Sequence, residues 1–256
     1  MPEVAARRIV AIHGAWQGGW VFDALRPAIG RLGWKLDAVD LPGNGAGPAA
    51  DAPADLDHYA AHVSATIDAI GEPVVLLGHS GGAVTASQAA ELRADRVKAI
   101  VYVAGIVLPS GVDFAALRQR HADPSLPGEF DGIVPYLDWN ADHSASRVRP
   151  EGAQQVFLHD CEPAQAEAAA ARLVWQPERG RAMRPRLTAE RWGRLPKLYV
   201  ECLRDRSIPL RLQQAMHREC HGCEVVSLDS GHVPQLARPE ELAAKIAHWL
   251  YRTAAA

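Results

Sequence analysis

A serine becomes a nucleophile where the backbone holds its hydroxyl in the open and a base stands beside it. Gly78-His79-Ser80-Gly81-Gly82 follows the apolar run Val74–Leu77 and precedes a small-residue stretch with helical character, Gly82–Leu92. In that setting Gly-x-Ser-x-Gly allows a tight strand-to-helix turn. Ser80 then stands at its tip, above the free N–H groups of the helix. Such a serine needs a base, and the base needs an orienting acid. Of 11 histidines, His232 is best placed, in Asp229-Ser230-Gly231-His232 between the last apolar run and the last helix. Asp205, in Asp205-Arg206-Ser207-Ile208-Pro209 after the penultimate run, is the expected acid. Asp229 competes, but it lies close to His232 along the chain. Negative charge developing on a substrate oxygen needs backbone donors. Gly81 N–H is one, and Ala15 N–H in His13-Gly14-Ala15-Trp16 is the other, with Gly14 allowing close backbone approach.

Other candidates rank lower. Cys220-His221-Gly222-Cys223, near His217, has metal-like spacing, but no second Cys-x-x-Cys occurs and the pair follows a helix instead of opening one. It reads as a helix-to-strand turn, and no metal is expected. Gly43-Asn44-Gly45-Ala46-Gly47 lacks the Lys-Ser/Thr of a phosphate loop. Arg179, Arg181, Arg184, Arg186, Arg191 and Arg194 alternate with Glu178 and Glu190 and read as a solvated surface; recognition of an acidic ligand is the sharper alternative. His58, His62, His217 and His248 fall on expected helices and read as surface or satisfied partners.

The elements that must position these residues alternate in type. Arg8–Ile12, Leu36–Leu41, Pro73–Leu77 and Val97–Val107 read as strands, and Trp20–Leu32, Leu56–Ile70 and Gly82–Leu92 as helices. The rhythm resumes with strands Lys197–Cys202 and Glu224–Leu228 and helices Leu210–Glu219 and Glu240–Leu250. Continuous apolar strands alternating with helices predict an α/β fold: a mostly parallel sheet of about six strands with helices on both faces. Residues 112–194 show no clear strand, many prolines and one helix, Pro163–Trp175. They read as a helical cap inserted into a core formed by residues 1–111 and 195–256, a single domain overall.

The chain has 256 residues and a net charge of −3, with 48% hydrophobic and 22% charged residues. That composition is globular, and its charge gives no electrostatic case for nucleic acid or an anionic membrane. The N-terminal ten residues lack the apolar core of a secretory signal, and Ala99–Leu108, the longest apolar run, is half a membrane span. Four cysteines are too few for a disulfide scaffold in a chain of this size. A cytoplasmic protein with reduced thiols is expected, as a monomer or homodimer.

Together, His13-Gly14-Ala15-Trp16-Gln17-Gly18-Gly19-Trp20, Leu41-Pro42-Gly43, Gly78-His79-Ser80-Gly81-Gly82, Asp205-Arg206-Ser207-Ile208-Pro209 and Gly231-His232 resemble the α/β-hydrolase superfamily. The closer resemblance is to the branch of plant methylesterases, hydroxynitrile lyases and related bacterial carboxylesterases. It runs over nearly the whole chain and is weakest in the cap. It implies an α/β-hydrolase fold with a helical lid, lacking the two first antiparallel strands of the superfamily. It also implies a Ser80–His232–Asp205 triad acting on a small apolar or aromatic ester without a cofactor. Lyases of this branch carry Thr and Lys where this chain has Ala15 and Val233, so hydrolysis is favoured. A lactonase, thioesterase or cyclase would use the same triad; a lyase or a non-catalytic receptor on the same fold are the remaining alternatives. Trp16, Trp20, Tyr136, Trp139, Phe157, Trp175 and Val233 are the candidates for a substrate pocket beneath the lid.

Overall fold

The computed structural model describes residues 7–44, 53–220 and 222–255. Gly45–Gly47 of the glycine-rich loop and His221 of the cysteine turn lie outside the described residues. Six strands form one sheet, all parallel: β1 (Arg8–Ile12), β2 (Lys35–Val39), β3 (Val74–His79), β4 (Val97–Val103), β8 (Lys197–Cys202) and β9 (Cys223–Leu228). Their order is β2-β1-β3-β4-β8-β9. β3 and β8 are buried throughout, as expected of central strands covered on both faces.

The helices follow from local chemistry. α2 (Leu56–Ile70) starts where the Asp55 carboxylate accepts from His58 N and stops at Gly71, whose φ of 77° suits a left-handed cap. It turns Leu56, Tyr59, Val63 and Ile67 into the core. α3 (Gly82–Leu92) is buried along almost its whole length, which its alanine and glycine content permits. The stretch expected as one helix, Trp20–Leu32, is divided into a 3-10 turn, Gly19–Phe22, and α1 (Leu25–Arg31). Pro27 explains the division: it has no N–H and fits only in a first turn, so the α-helix must begin just before it. β4 stops at Val103, short of the expected Val107, because Ala104 takes a φ of 43° and Ile106 N turns back to donate to Ser80 O at 2.9 Å.

The inserted segment departs most from expectation. Besides α4 (Phe114–His121) and α5 (Pro163–Ala170), it holds an antiparallel sheet of three short strands, β5 (Leu137–Trp139), β6 (Ala145–Val148) and β7 (Gln176–Pro177). With two to four residues each, these strands carry no readable alternation, so the expectation of an all-helical lid is corrected. α5 also ends five residues before Trp175. The arginine-rich stretch is not simply solvated. Arg191 and Arg194 donate to the carbonyls of Glu91, Leu92 and Ala94 at the end of α3, and the Glu91 carboxylate accepts from Thr188 N and Trp192 N. The remaining core helices are α6 (Leu210–Glu219) and α7 (Pro239–Ala255). No helix among the described residues is long and apolar enough to cross a membrane.

Candidate active site

The loops leaving the carboxyl ends of β1, β3, β8 and β9 meet at one place, the edge where open parallel sheets bind ligands. Ser80 sits between β3 and α3 with φ 52°, a left-handed conformation that is strained for a residue with a side chain. The neighbouring glycines permit that elbow by close backbone contact. A Cβ on Gly78 would fall 2.6 Å from Ala83 Cα, and one on Gly82 only 2.4 Å from the carbonyl oxygens of Ile12 and His13. A Cβ on Gly14 would fall 2.8 Å from Ser80 Cβ. Gly81 is different: a Cβ there would make only ordinary contacts, 3.8 Å from Ala15 N and 4.0 Å from Met183 Cε.

Ser80 Oγ lies 3.1 Å from His232 Nε2, and His232 Nδ1 lies 2.8 Å from Asp205 Oδ2. The histidine and the aspartate are both buried. The second Asp205 oxygen accepts from Ser207 N at 2.7 Å and Ile208 N at 2.9 Å, which fixes the carboxylate's orientation. Asp229 turns away to the surface and pairs with Arg204 at 2.8 Å. Sequence proximity to His232 therefore does not become spatial proximity.

Three side chains for which the sequence suggested no such role hold this arrangement. Phe157, from the inserted segment, stacks its ring on His232 with centroids 5.2 Å apart. His79 donates from Nε2 to the His232 carbonyl at 2.8 Å, while its Nδ1 lies 3.1 Å from the Gln17 amide. Complete burial holds the His79 pKa well below the usual histidine value, with the nearby His232 adding to the effect. His13 receives Leu41 N on Nε2 at 3.1 Å and so donates from Nδ1 to Gly14 O at 2.8 Å. Burial lowers its pKa as well, so an uncharged ring clamps the turn before Ala15.

A cavity of about 370 Å³ opens over Ser80, lined by Ala15, Trp16 and Gly81 on the sheet side and by Phe130, Trp139 and Met183 opposite, among others. That volume is in the range of small-molecule sites. Of the seven candidate pocket residues, Trp16 and Trp139 line it. The other five do not. Trp20 packs on the core under the Arg172 guanidinium. Tyr136 bonds Gln155 through its hydroxyl, and Phe157 is behind His232. Trp175 is exposed beneath Arg147. Val233 is fully buried in the core, although it adjoins His232 in sequence. The lining residues that sequence reading missed include Tyr59, Arg118 and Gln176, while Arg181 of the arginine-rich stretch also lines the cavity. Their types are unremarkable for surface or core positions, and only the fold brings them together.

Of the lower-ranked candidates, the two cysteines stay together, Cys223 Sγ donating to Cys220 O at 3.5 Å. Cys220 ends α6 and Cys223 opens β9 as free thiols, and burial pushes them up to about 12 and about 11. His217 is held by Glu201 at 2.8 Å.

Among characterised proteins, the chain is 29% identical to the pyrethroid hydrolase of Sphingobium wenxiniae, over 93% of this chain and 86% of that one. It is 24% identical to methylesterase 7 of Arabidopsis thaliana, over 93% and 94% of the two chains. The crystal structure of a pyrethroid hydrolase from Sphingobium faniae superposes with a TM-score of 0.81 at 25% identity, covering 95% of this chain and 97% of that one. The model of the alpha/beta hydrolase family matches residues 9–245, and the chain belongs to that family.

Proposed function

We propose that the protein is a serine carboxylesterase of methylesterase-like type, acting on a small apolar or aromatic ester. The observation that carries this reading is the Ser80–His232–Asp205 chain of hydrogen bonds, 3.1 and 2.8 Å long, at the floor of a cavity bordered by Ala15 and Gly81. Relatives named as a methylesterase and as the polyneuridine aldehyde esterase of Rauvolfia serpentina support ester cleavage.

Each residue then has a task. His232 Nε2 takes the Ser80 proton as Oγ attacks the ester carbonyl. Asp205 accepts from Nδ1–H, keeps the tautomer that leaves Nε2 free, and stabilises the imidazolium as it forms. The Gly81 and Ala15 N–H groups receive the oxyanion. His232 returns the proton to the departing alcohol, and water, deprotonated by the same ring, releases the acid from Ser80. Cyanohydrin cleavage is disfavoured: Ala15 offers no hydroxyl, and Val233 places a buried apolar side chain where a lyase of this branch has a cation. We also propose that the protein acts in the cytoplasm, as a monomer or homodimer with thiol cysteines.

The test is a panel of aryl and methyl esters together with an active-site fluorophosphonate. The expected result is turnover of at least some esters and one label per chain, absent from Ser80→Ala. Full labelling of Ser80→Ala, or mandelonitrile cleavage without ester hydrolysis, would overturn the reading.

A further inference from the structure

Trp16, the residue after Ala15, has a φ of 61°. For a bulky side chain this conformation is strained and persists only where the surroundings over-determine it. Those surroundings come from the inserted segment. Trp16 N donates to Gln176 Oε1 at 3.2 Å, Val174 N donates to Trp16 O at 2.9 Å, and the indole Nε1 donates to Ser146 Oγ at 3.2 Å. Ser146 and Gln176 are register partners across β6 and β7, so one rung of the small sheet grips both the backbone and the ring of Trp16. Arg181 covers the same ring, 4.7 Å from its centroid.

Gln176 is buried, and its amide orientation is fixed by its partners. Nε2 faces the Pro177 carbonyl at 3.2 Å, which can only accept, and the Tyr59 hydroxyl at 3.1 Å. Tyr59 gives its own proton to Asn44 Oδ1 at 2.8 Å. Oε1 is therefore the atom that meets Trp16 N. Gly180 makes room for this relay, since a Cβ there would fall 2.3 Å from the Tyr59 hydroxyl oxygen and 2.6 Å from Gln176 Nε2.

We infer that Gln176 is a positioning residue for the oxyanion hole. By holding the peptide between Ala15 and Trp16, it fixes the adjoining peptide that carries the Ala15 N–H. The hole is thus completed by the inserted segment, not by the sheet loops alone. This rests on the ester-hydrolase reading, and one reagent separates the two. An aryl trifluoromethyl ketone accepts Ser80 Oγ at its carbonyl carbon while the serine proton passes to His232, leaving a hemiketal oxyanion in the hole. Its adduct is followed by fluorine NMR alongside ester turnover.

Gln176→Met keeps the length of the side chain and removes the acceptor. It should lower kcat by about 10- to 100-fold and weaken the ketone by a similar factor, with KM changed by less than about threefold, as for a lost oxyanion interaction. Gln176→Glu restores an oxygen toward Trp16 N and should recover most of that loss where its carboxyl is protonated. If Gln176→Met does not fold, Tyr59→Phe carries the test by freeing the Gln176 amide, with an expected loss in kcat of about three- to tenfold that exceeds any change in KM. Wild-type values for the folded Met variant, or for Tyr59→Phe in its place, would overturn the role of Gln176 and leave the esterase reading standing. A fall in KM-linked binding and melting temperature, without selective loss of ketone affinity, would make Gln176 merely structural. No ketone adduct and no ester turnover in the unmodified protein would overturn both.

Discussion

The two α/β portions and the inserted segment divide the work unequally. In the sheet portion, Ser80, Asp205 and His232 stand on short loops at the carboxyl ends of β3, β8 and β9. The inserted segment contributes none of these groups, yet it reaches the His232 loop and the loop after β1. Phe157 stacks on His232, the Asp160 carboxylate accepts from Gly231 N at 2.7 Å and Ser230 Oγ at 3.1 Å, and Gln176 and Ser146 hold Trp16. The sheet portion carries the proposed reacting groups, and the insertion carries part of the cavity wall and side chains that bond to the loops. A substitution in the insertion can therefore look catalytic without touching a reacting atom, and kinetics must separate the two kinds of effect.

The largest expected effects test the sheet portion. Ser80→Ala and His232→Ala should each lower kcat by on the order of 10⁴–10⁶, and the double variant by little more, because triad members act as a unit. Asp205→Asn should lose about 10⁴ in kcat with its fold intact, since the amide favours the wrong histidine tautomer. Asp229→Asn, at a surface pair with Arg204, should stay within about threefold of the wild type, as exposed ion pairs contribute little. Steady-state kinetics with one aryl ester decides. A large loss in Asp229→Asn with a near-normal Asp205→Asn would reverse the assignment of the acid.

The same division governs what could be read from the sequence. α2 and α3 occupy the spans expected for them, Leu56–Ile70 and Gly82–Leu92, because apolar spacing, an Asp cap and glycine ends mark their limits. The serine and its partners were legible because each lies beside a strand end, and strand ends in a parallel sheet converge on one edge. The insertion has no such periodicity. Its strands are two to four residues long and are held by side chains such as Ser146 and Gln176 that bond across more than a hundred residues to Trp16. Aromaticity misled for the same reason. Phe157 and Trp20 are large and apolar, which suits a pocket or a core equally, and only tertiary contact distinguishes them.

A second prediction concerns charge beneath the serine. His13 and His79 are fully buried in the sheet portion, and burial keeps both folded-state pKa values below the ordinary 6.5. The unfolded chain protonates these rings near that value while the folded chain does not. Stability is then fully present above about pH 6.5 and declines as pH falls below it, toward the folded values, by up to about 1.4 kcal/mol per pH unit for each ring. Urea unfolding between pH 7.5 and 5.5 should show this loss. His79→Gln, whose amide can still donate to the His232 carbonyl, should show a shallower dependence. An unchanged slope in His79→Gln would mean that this ring titrates normally in the folded protein.

The smallest effect tests the insertion as a pocket wall. Trp139 and Trp175 are almost equally exposed, at 38% and 40%, so exposure alone does not separate them. Position does. Trp139 lines the cavity over Ser80, 6.0 Å from the Arg181 guanidinium that also covers Trp16. Trp175 lies outside that lining, with Arg147 5.2 Å above its ring. Emptying one apolar subsite is worth about 1–3 kcal/mol between substrates, and a half-exposed ring should fall at the low end. Trp139→Ala should therefore change the ratio of kcat/KM between an aryl and a short alkyl ester by about fivefold to tenfold. Trp175→Ala should leave that ratio unchanged even if it lowers the melting temperature. Both variants need melting curves beside the kinetics, because loss of Trp139 could loosen the short sheet that carries Gln176. That outcome has its own signature: kcat would fall for both esters together and ketone affinity would fall with it. A shifted ratio with constant ketone affinity marks Trp139 as a wall, and a uniform loss marks it as a support for the oxyanion loop.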